Sequence, residues 1–225
     1  MEERGKLIFY DDCLMLHYRE EDQWLTKCIS PAAVRCAFSQ ELLDTGWMPS
    51  GVRRWGMTSR GDWVVLFIPP AQHRFWLQKP GQEDELPDTK LQLMELTLPM
   101  PALVFMGFGN SYYIWAVAET ELQPNTITYH APLPNIDYDG RICLGANNYP
   151  LASCEKISEA WCLFLDSPFN DHHTDRKSQR YPDDIRCRWL NLKRHPRDAY
   201  PLNDLVSRQR TVEQAVKQVL EGRPW

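Results

Sequence analysis

Short apolar runs separated by polar turns occupy most of the chain, and helical spacing takes over near its end. Leu7–Tyr10 and Leu14–Tyr18 flank Asp11 and Asp12 and predict a hairpin or two short strands. Ser30 and Pro31 then open a run with apolar residues at Ala33, Val34, Ala37, Phe38, Leu42 and Leu43. Ser30 suits an N-cap, Pro31 the first helical turn and Gly46 a stop. Trp63–Ile68 predicts a strand ended by Pro69 and Pro70, and Arg74–Leu77 the next. Residues 79–89 are polar and carry Gly and Pro, so they read as a loop. Leu91–Leu98 alternates as a half-buried strand does. Leu103–Met106 and Tyr112–Val117 flank Gly107-Phe108-Gly109-Asn110, a hairpin signal. Ile127–Tyr129 is a further short strand.

Past residue 150 the period changes. From Ser153, a candidate cap, to Leu165 the apolar residues Ile157, Ala160, Trp161, Phe164 and Leu165 fit a helix, which Ser167 and Pro168 end. Residues 170–184 read as a long polar loop, the kind that inside a compact domain is functional or disordered. Thr211–Leu220 predicts a last helix, with Val212, Ala215, Val216, Val219 and Leu220 on one face and Gly222 as its stop. Strands grouped apart from helices predict an α+β fold rather than a βαβ array.

Composition narrows the function. A 43% apolar share supports one sizeable core in 225 residues, and nine Trp, nine Tyr and eight Phe make that core aromatic-rich. A net charge of −5 argues against nucleic acid as a partner, because phosphate binding rests on Lys and Arg. The basic residues between Arg176 and Arg197 are diluted by acids and read as a solvated, mixed-charge surface. The seven cysteines are odd in number and include no C-x-x-C pair, so free thiols in a reducing compartment are expected. No ligand spacing calls for a metal and no phosphate-binding or dinucleotide motif calls for a cofactor. The charged start of the chain is no secretory signal, and no apolar run reaches membrane-spanning length, so a cytoplasmic location without membrane contact is expected. Cys154 and Cys162 flank the helical stripe as packing residues, Tyr112–Trp115 belong to the core, and His172-His173 reads as a solvated pair.

The chemistry concentrates in Pro134-Asn135-Ile136-Asp137-Tyr138-Asp139-Gly140-Arg141-Ile142-Cys143-Leu144. Pro-Asn-Ile, then a glycine turn, then Ile-Cys-Leu at this interval resembles the active-site segment of ubiquitin-conjugating (UBC) enzymes. Ser167-Pro168-Phe169-Asn170-Asp171 falls where that family has a Pro-rich loop. Ser30-Pro31, Gly46-Trp47-Met48-Pro49, the Phe105–Val117 hairpin and Phe169-Asn170-x-His172 are similar to the bacterial branch. That branch includes PRTRC-system protein B and the conjugating enzymes of bacterial ubiquitin-like antiphage operons.

The resemblance implies a UBC-like fold, an antiparallel β-meander packed with helices. It divides the chain into an N-terminal strand extension (1–28), a catalytic domain (29–205) and a C-terminal helix (206–225). It implies a transferase with Cys143 as nucleophile, a ubiquitin-like modifier and an adenylating enzyme as partners, and a lysine-bearing protein as target. Asn135 would steady an oxyanion or hold the loop, since a neutral amide offers two N–H donors. Gly140 would allow positive φ in the turn, with Asp137 and Asp139 bonding its backbone. Asp171, His172, His173 and Asp175 are candidates for receiving the amine's proton, with His172 favoured. The chain departs from the family at Leu133, which stands where the family has histidine, so the loop needs another brace, for which His130 is a candidate. A non-catalytic UBC-like scaffold of a PRTRC-type system is the alternative. A papain-like hydrolase fits poorly, because Asn precedes the Cys and no helix start follows it.

Overall fold

The computed structural model describes residues 5–10, 13–31, 33–34, 47–78, 92–145 and 147–222. The chain divides into two units, Met1–Trp47 and Met48–Trp225. In the first, β1 (Gly5–Phe9), β2 (Leu14–Glu20) and β3 (Gln23–Ile29) form an antiparallel sheet in that order. The two strands expected on either side of Asp11-Asp12 therefore pair, and β3 adds a third. Ser30 caps as expected, its Oγ accepting from Ala33 N–H at 3.1 Å. The rest of that expected helix, Gly46 and the expected loop at 79–89 lie outside the described residues.

The second unit contains β4 (Val52–Thr58), β5 (Gly61–Ile68), β6 (Ala71–Gln78), β7 (Leu93–Met100), β8 (Ala102–Phe108), β9 (Ser111–Val117) and β10 (Ile127–His130). Helix α1 (Ile157–Asp166), β11 (Pro168–Phe169), helix α2 (Ile185–Arg194), β12 (Ser207–Thr211) and helix α3 (Val212–Glu221) follow. The strands make a six-stranded sheet ordered β12-β10-β9-β8-β5-β4 and a three-stranded sheet ordered β11-β6-β7. β11 lies parallel to β6, and the other pairings are antiparallel. This is a sheet-rich α+β fold, compatible with the expected architecture.

Period-two alternation explains why the central strands are apolar throughout. On β5, β8 and β9, Val64, Leu66, Leu103, Phe105, Tyr112 and Ile114 join a core with Ile157, Phe164 and Trp189 of the first two helices. Their neighbours Trp63, Val65, Val104, Met106, Trp115 and Val117 join a second core with Val212, Ala215 and Val216 of α3. The sheet is thus buried on both faces. Helix α3 starts on a capping box between Thr211 and Gln214 and stops at Gly222, at φ 63°, as its sequence pattern indicates.

Three expectations need correction. The first helix begins at Ile157 rather than Ser153; Ser153 Oγ instead accepts from Lys156 N–H at 3.2 Å in the preceding turn. The segment from Arg176 to Arg197 is not merely a solvated surface, for it contains α2 and the buried residues Lys177, Ser178, Arg188 and Trp189. Charge in the sequence hides this burial, because a buried cation needs partners that a local pattern does not show. Cys162 is exposed and not a packing residue, while Cys154 does pack against the core.

Candidate active site

The chain between β10 and α1 turns back along β9. Ile114 N–H donates to Gly140 O at 2.7 Å and Ile142 N–H to Tyr112 O at 2.9 Å. Between Asp137 and Arg141 the turn closes on one carboxylate oxygen. Asp137 Oδ1 accepts from both Asp139 N–H and Arg141 N–H at 2.8 Å. Gly140 sits at φ 92°, and a Cβ there would collide with the indole of Trp115, so the turn needs glycine for conformation and for space. Trp115 Nε1–H donates to Asp139 O at 2.9 Å. Asp139 therefore serves the turn through its carbonyl and not its carboxylate, whose Oδ1 is buried without a hydrogen-bond partner among the described residues.

Closing this turn pairs Ile136 with Ile142 and lets Cys143 N–H donate to Asn135 O at 2.9 Å. Asn135 and Cys143 thus meet through their backbones. The Cys143 side chain is left exposed on a segment held by buried Ile142. Tyr149 lies on the same side. Burial raises its hydroxyl pKa, a hydrogen bond with Ser167 opposes the rise, and the Cys143 thiolate adds to it. Asn147 Nδ2–H donates to Ser167 Oγ at 2.9 Å, tying the segment after Cys143 to the end of α1.

Asn135 bonds through all its polar groups. Its N–H donates to His172 O at 2.7 Å, its carbonyl accepts from Cys143, its Nδ2–H donates to Pro168 O at 3.1 Å, and its Oδ1 accepts from Asn170 N–H at 3.4 Å. It does this at φ 60°, a left-handed conformation that Asn tolerates better than most residues. His172 reaches the site through its backbone, with its own N–H donating to Asn170 Oδ1 at 3.0 Å. Its exposed ring lies 4.0 Å, centroid to centroid, from that of His173. Asp171 and Asp175 are exposed on the same loop.

Leu133 is buried in the main core. His130, the brace expected from the sequence, meets the loop through the ring of Tyr138. His130 is buried with its ring 4.7 Å from that of Tyr138, and burial with nearby Arg208 and Lys177 charge lowers its pKa to about 4. Lys177, 3% exposed, adds a brace that the sequence did not suggest: its Nζ donates to Leu133 O at 2.8 Å and also to Ile136 O. Burial lowers the Lys177 pKa to about 7, with Asp175 and Asp137 opposing the shift. Trp189 Nε1–H fixes the same loop by donating to Pro132 O at 2.8 Å. Sequence reasoning missed both residues, because neither bond has a local pattern. Among the described residues, no three His, Cys, Asp or Glu side chains cluster to hold a metal.

A family model described as prokaryotic E2 family D matches residues 26–208, which include every residue of this site. The chain belongs to prokaryotic E2 family D. Membership ties this E2-like protein to ubiquitin-like conjugation and, in general, to the modifier and activating enzyme of such systems. No curated protein and no solved structure matches the chain. No described helix of the family D protein is long and apolar enough to cross a membrane.

Proposed function

We propose that the protein is a ubiquitin-like-protein conjugating enzyme acting through Cys143 in bacterial antiphage defence. The observation that carries this reading is the exposed Cys143 on a segment whose backbone is bonded to both β9 and Asn135. An accessible thiol at a fixed place is what thioester exchange requires. The resemblance of Ser30-Pro31, Gly46-Trp47-Met48-Pro49, the Phe105–Val117 hairpin and Phe169-Asn170-x-His172 to the bacterial branch supports the setting.

In the first step the Cys143 thiolate attacks the thioester carbonyl joining the modifier to its adenylating enzyme. The new C–S bond forms as that enzyme's thiolate leaves. In the second step a lysine amine of the target attacks the Cys143 thioester, an amide forms and the Cys143 thiolate leaves. The proton shed by the amine goes to the loop at 171–175, where His172 is the favoured acceptor. Asn135 Nδ2 carries two protons. One is given to Pro168 O, and we assign the other to the developing oxyanion.

Mixing the protein with its modifier, adenylating enzyme and ATP should give an adduct on Cys143 that reductant releases. Cys143→Ser should give none that reductant releases, and equal behaviour of the two proteins would sink the reading. The Asn135 side chain is bonded on both ends to the loop at 168–170, which favours a second reading as a non-catalytic PRTRC-type scaffold. A wild type that never loads, together with a Cys143 that alkylates no faster than Cys162 in the native protein, would favour that scaffold.

A further inference from the structure

The residue that holds the catalytic loop together is far from it in sequence. Asn135 is flanked by Leu133 and Ile136, and the carbonyls of both accept from the same Lys177 nitrogen. The loop between them carries Asn135 in a left-handed conformation, and Asn135 O receives the N–H of Cys143. One buried nitrogen therefore spans the segment that sets the height of the Cys143 backbone. The geometry points to Lys177 as a positioning residue: by bonding the Leu133 and Ile136 carbonyls it holds the Asn135 turn against Cys143 for the transfer step. This rests on Cys143 being the thioester nucleophile.

Three features support a clamp rather than simple filling of space. Both acceptors are backbone carbonyls of the buried residues Leu133 and Ile136, so losing the donor costs two hydrogen bonds made inside the protein. Lys177 shares its loop with His172, whose carbonyl receives Asn135 N–H, so the same segment holds Asn135 from two directions. A cavity of about 220 Å³ lies beside Lys177, lined by His130, Tyr138, His173, Asp175 and Arg176. That space gives a longer side chain room to reach the same carbonyls.

The test uses the full chain as wild type, Lys177→Gln, Lys177→Met and Lys177→Arg. Gln is too short to span both carbonyls, Met removes the donors, and Arg keeps them. Amide hydrogen exchange is followed on peptides covering 131–144 and on the β8–β9 hairpin. Loading of the modifier and its single-turnover discharge to free lysine are measured separately. In Gln or Met variants, exchange in 131–144 should rise by at least about tenfold while the hairpin stays protected. Loading should hold within about twofold while discharge falls roughly 10- to 100-fold, the effect expected of a small misplacement at a reacting centre. Lys177→Arg should restore both.

Unchanged exchange in 131–144 would overturn the proposal, and so would a uniform rise across the domain, which marks a merely structural residue. An equal loss of loading and discharge would also overturn the assignment to the transfer step. If Lys177→Met fails to fold, Lys177→Gln decides by the same outcomes. A wild type that never loads overturns the thioester reading, and the transfer role with it. The exchange data still decide separately whether Lys177 holds the loop.

Discussion

Lys177 and Ser178 are consecutive buried residues that serve two polar clusters built on opposite plans. Lys177 turns to backbone carbonyls beside Asn135 and Cys143. Ser178 Oγ donates to the Asp204 carboxylate, both of whose oxygens lie 2.8 Å away, and Asp204 also accepts from Arg180 N–H at 2.9 Å and Tyr200 Oη–H at 3.1 Å. Arg188 faces the same carboxylate with Nε 3.0 Å from Oδ2, and the guanidinium is 5.9 Å from the centres of the Tyr181 and Tyr200 rings. In the second cluster a buried cation meets a buried anion, and hydroxyl and amide donors fill the remaining acceptor positions. In the first, a buried amine is bonded to carbonyls, and burial disfavours its charge more than Asp175 and Asp137 favour it. We therefore expect the carboxylate-centred cluster to fasten the fold, and the carbonyl-centred one to hold the Asn135–Cys143 segment and to respond to pH.

The largest expected effect tests the fastening side. Asp204→Ala leaves Arg188 buried without its anion and Ser178, Arg180 and Tyr200 without their acceptor. Breaking such a pair should lower unfolding free energy by about 3 to 5 kcal/mol, measured by urea denaturation. Native-state alkylation of Cys143 should stay within about twofold of wild type, because Lys177 keeps its own carbonyls. If Cys143 reactivity changes as strongly as stability, the two clusters are one and the comparison breaks.

A smaller effect is expected on the reactive side. Asn135→Ala loses two side-chain hydrogen bonds, each worth about 1 kcal/mol, and places a Cβ residue without Asn's compensation at φ 60°, for about 2 to 3 kcal/mol in all. Asn135→Gly loses the same bonds without the conformational strain, so it should be about 1 kcal/mol more stable than the Ala variant. Both should alter the Cys143 alkylation rate, read at that site by peptide mass spectrometry. Equal stability of the two variants would show that the left-handed backbone at 135 carries no strain. An unchanged alkylation rate would separate Asn135 from Cys143.

The same contrast explains what the sequence revealed. Central strands β5, β8 and β9 are buried on both faces, and their apolar runs announce them. The unpredicted β4 and β12 are the two edges of the six-stranded sheet, and their sequences, VRRWGMT and SRQRT, carry the charge that edge strands use against aggregation. Helix α2, IRCRWLNLKR, was hidden because Arg188 occupies a buried position on its otherwise apolar face. At the site, the turn was legible because Asp137, Gly140 and Cys143 act within nine residues of Asn135. Lys177 was not, because its partners lie 41 and 44 residues away and a lone lysine in a polar loop looks solvated.

The smallest effect is a pH dependence that only the carbonyl-held amine should produce. Burial lowers the Lys177 pKa from 10.5 to about 7. Between those values the unfolded chain keeps the proton that the folded protein has shed. The unfolded state therefore binds more protons, and stability rises with pH through this window. Below pH 7 the folded protein must hold the buried charge, and the gain is absent. His130 acts in the same direction, but its window runs from about 4 to 6.5 and ends before that of Lys177 begins. From pH 7 to 8 wild type should gain about 1 kcal/mol relative to Lys177→Met, since one unit of pKa difference corresponds to about 1.4 kcal/mol. Parallel urea titrations of the two proteins at each pH, compared with Asp204→Ala, measure it. Parallel curves for wild type and Lys177→Met would mean that the carbonyls hold a fully charged ammonium. The difference between the two clusters would then lie in geometry alone.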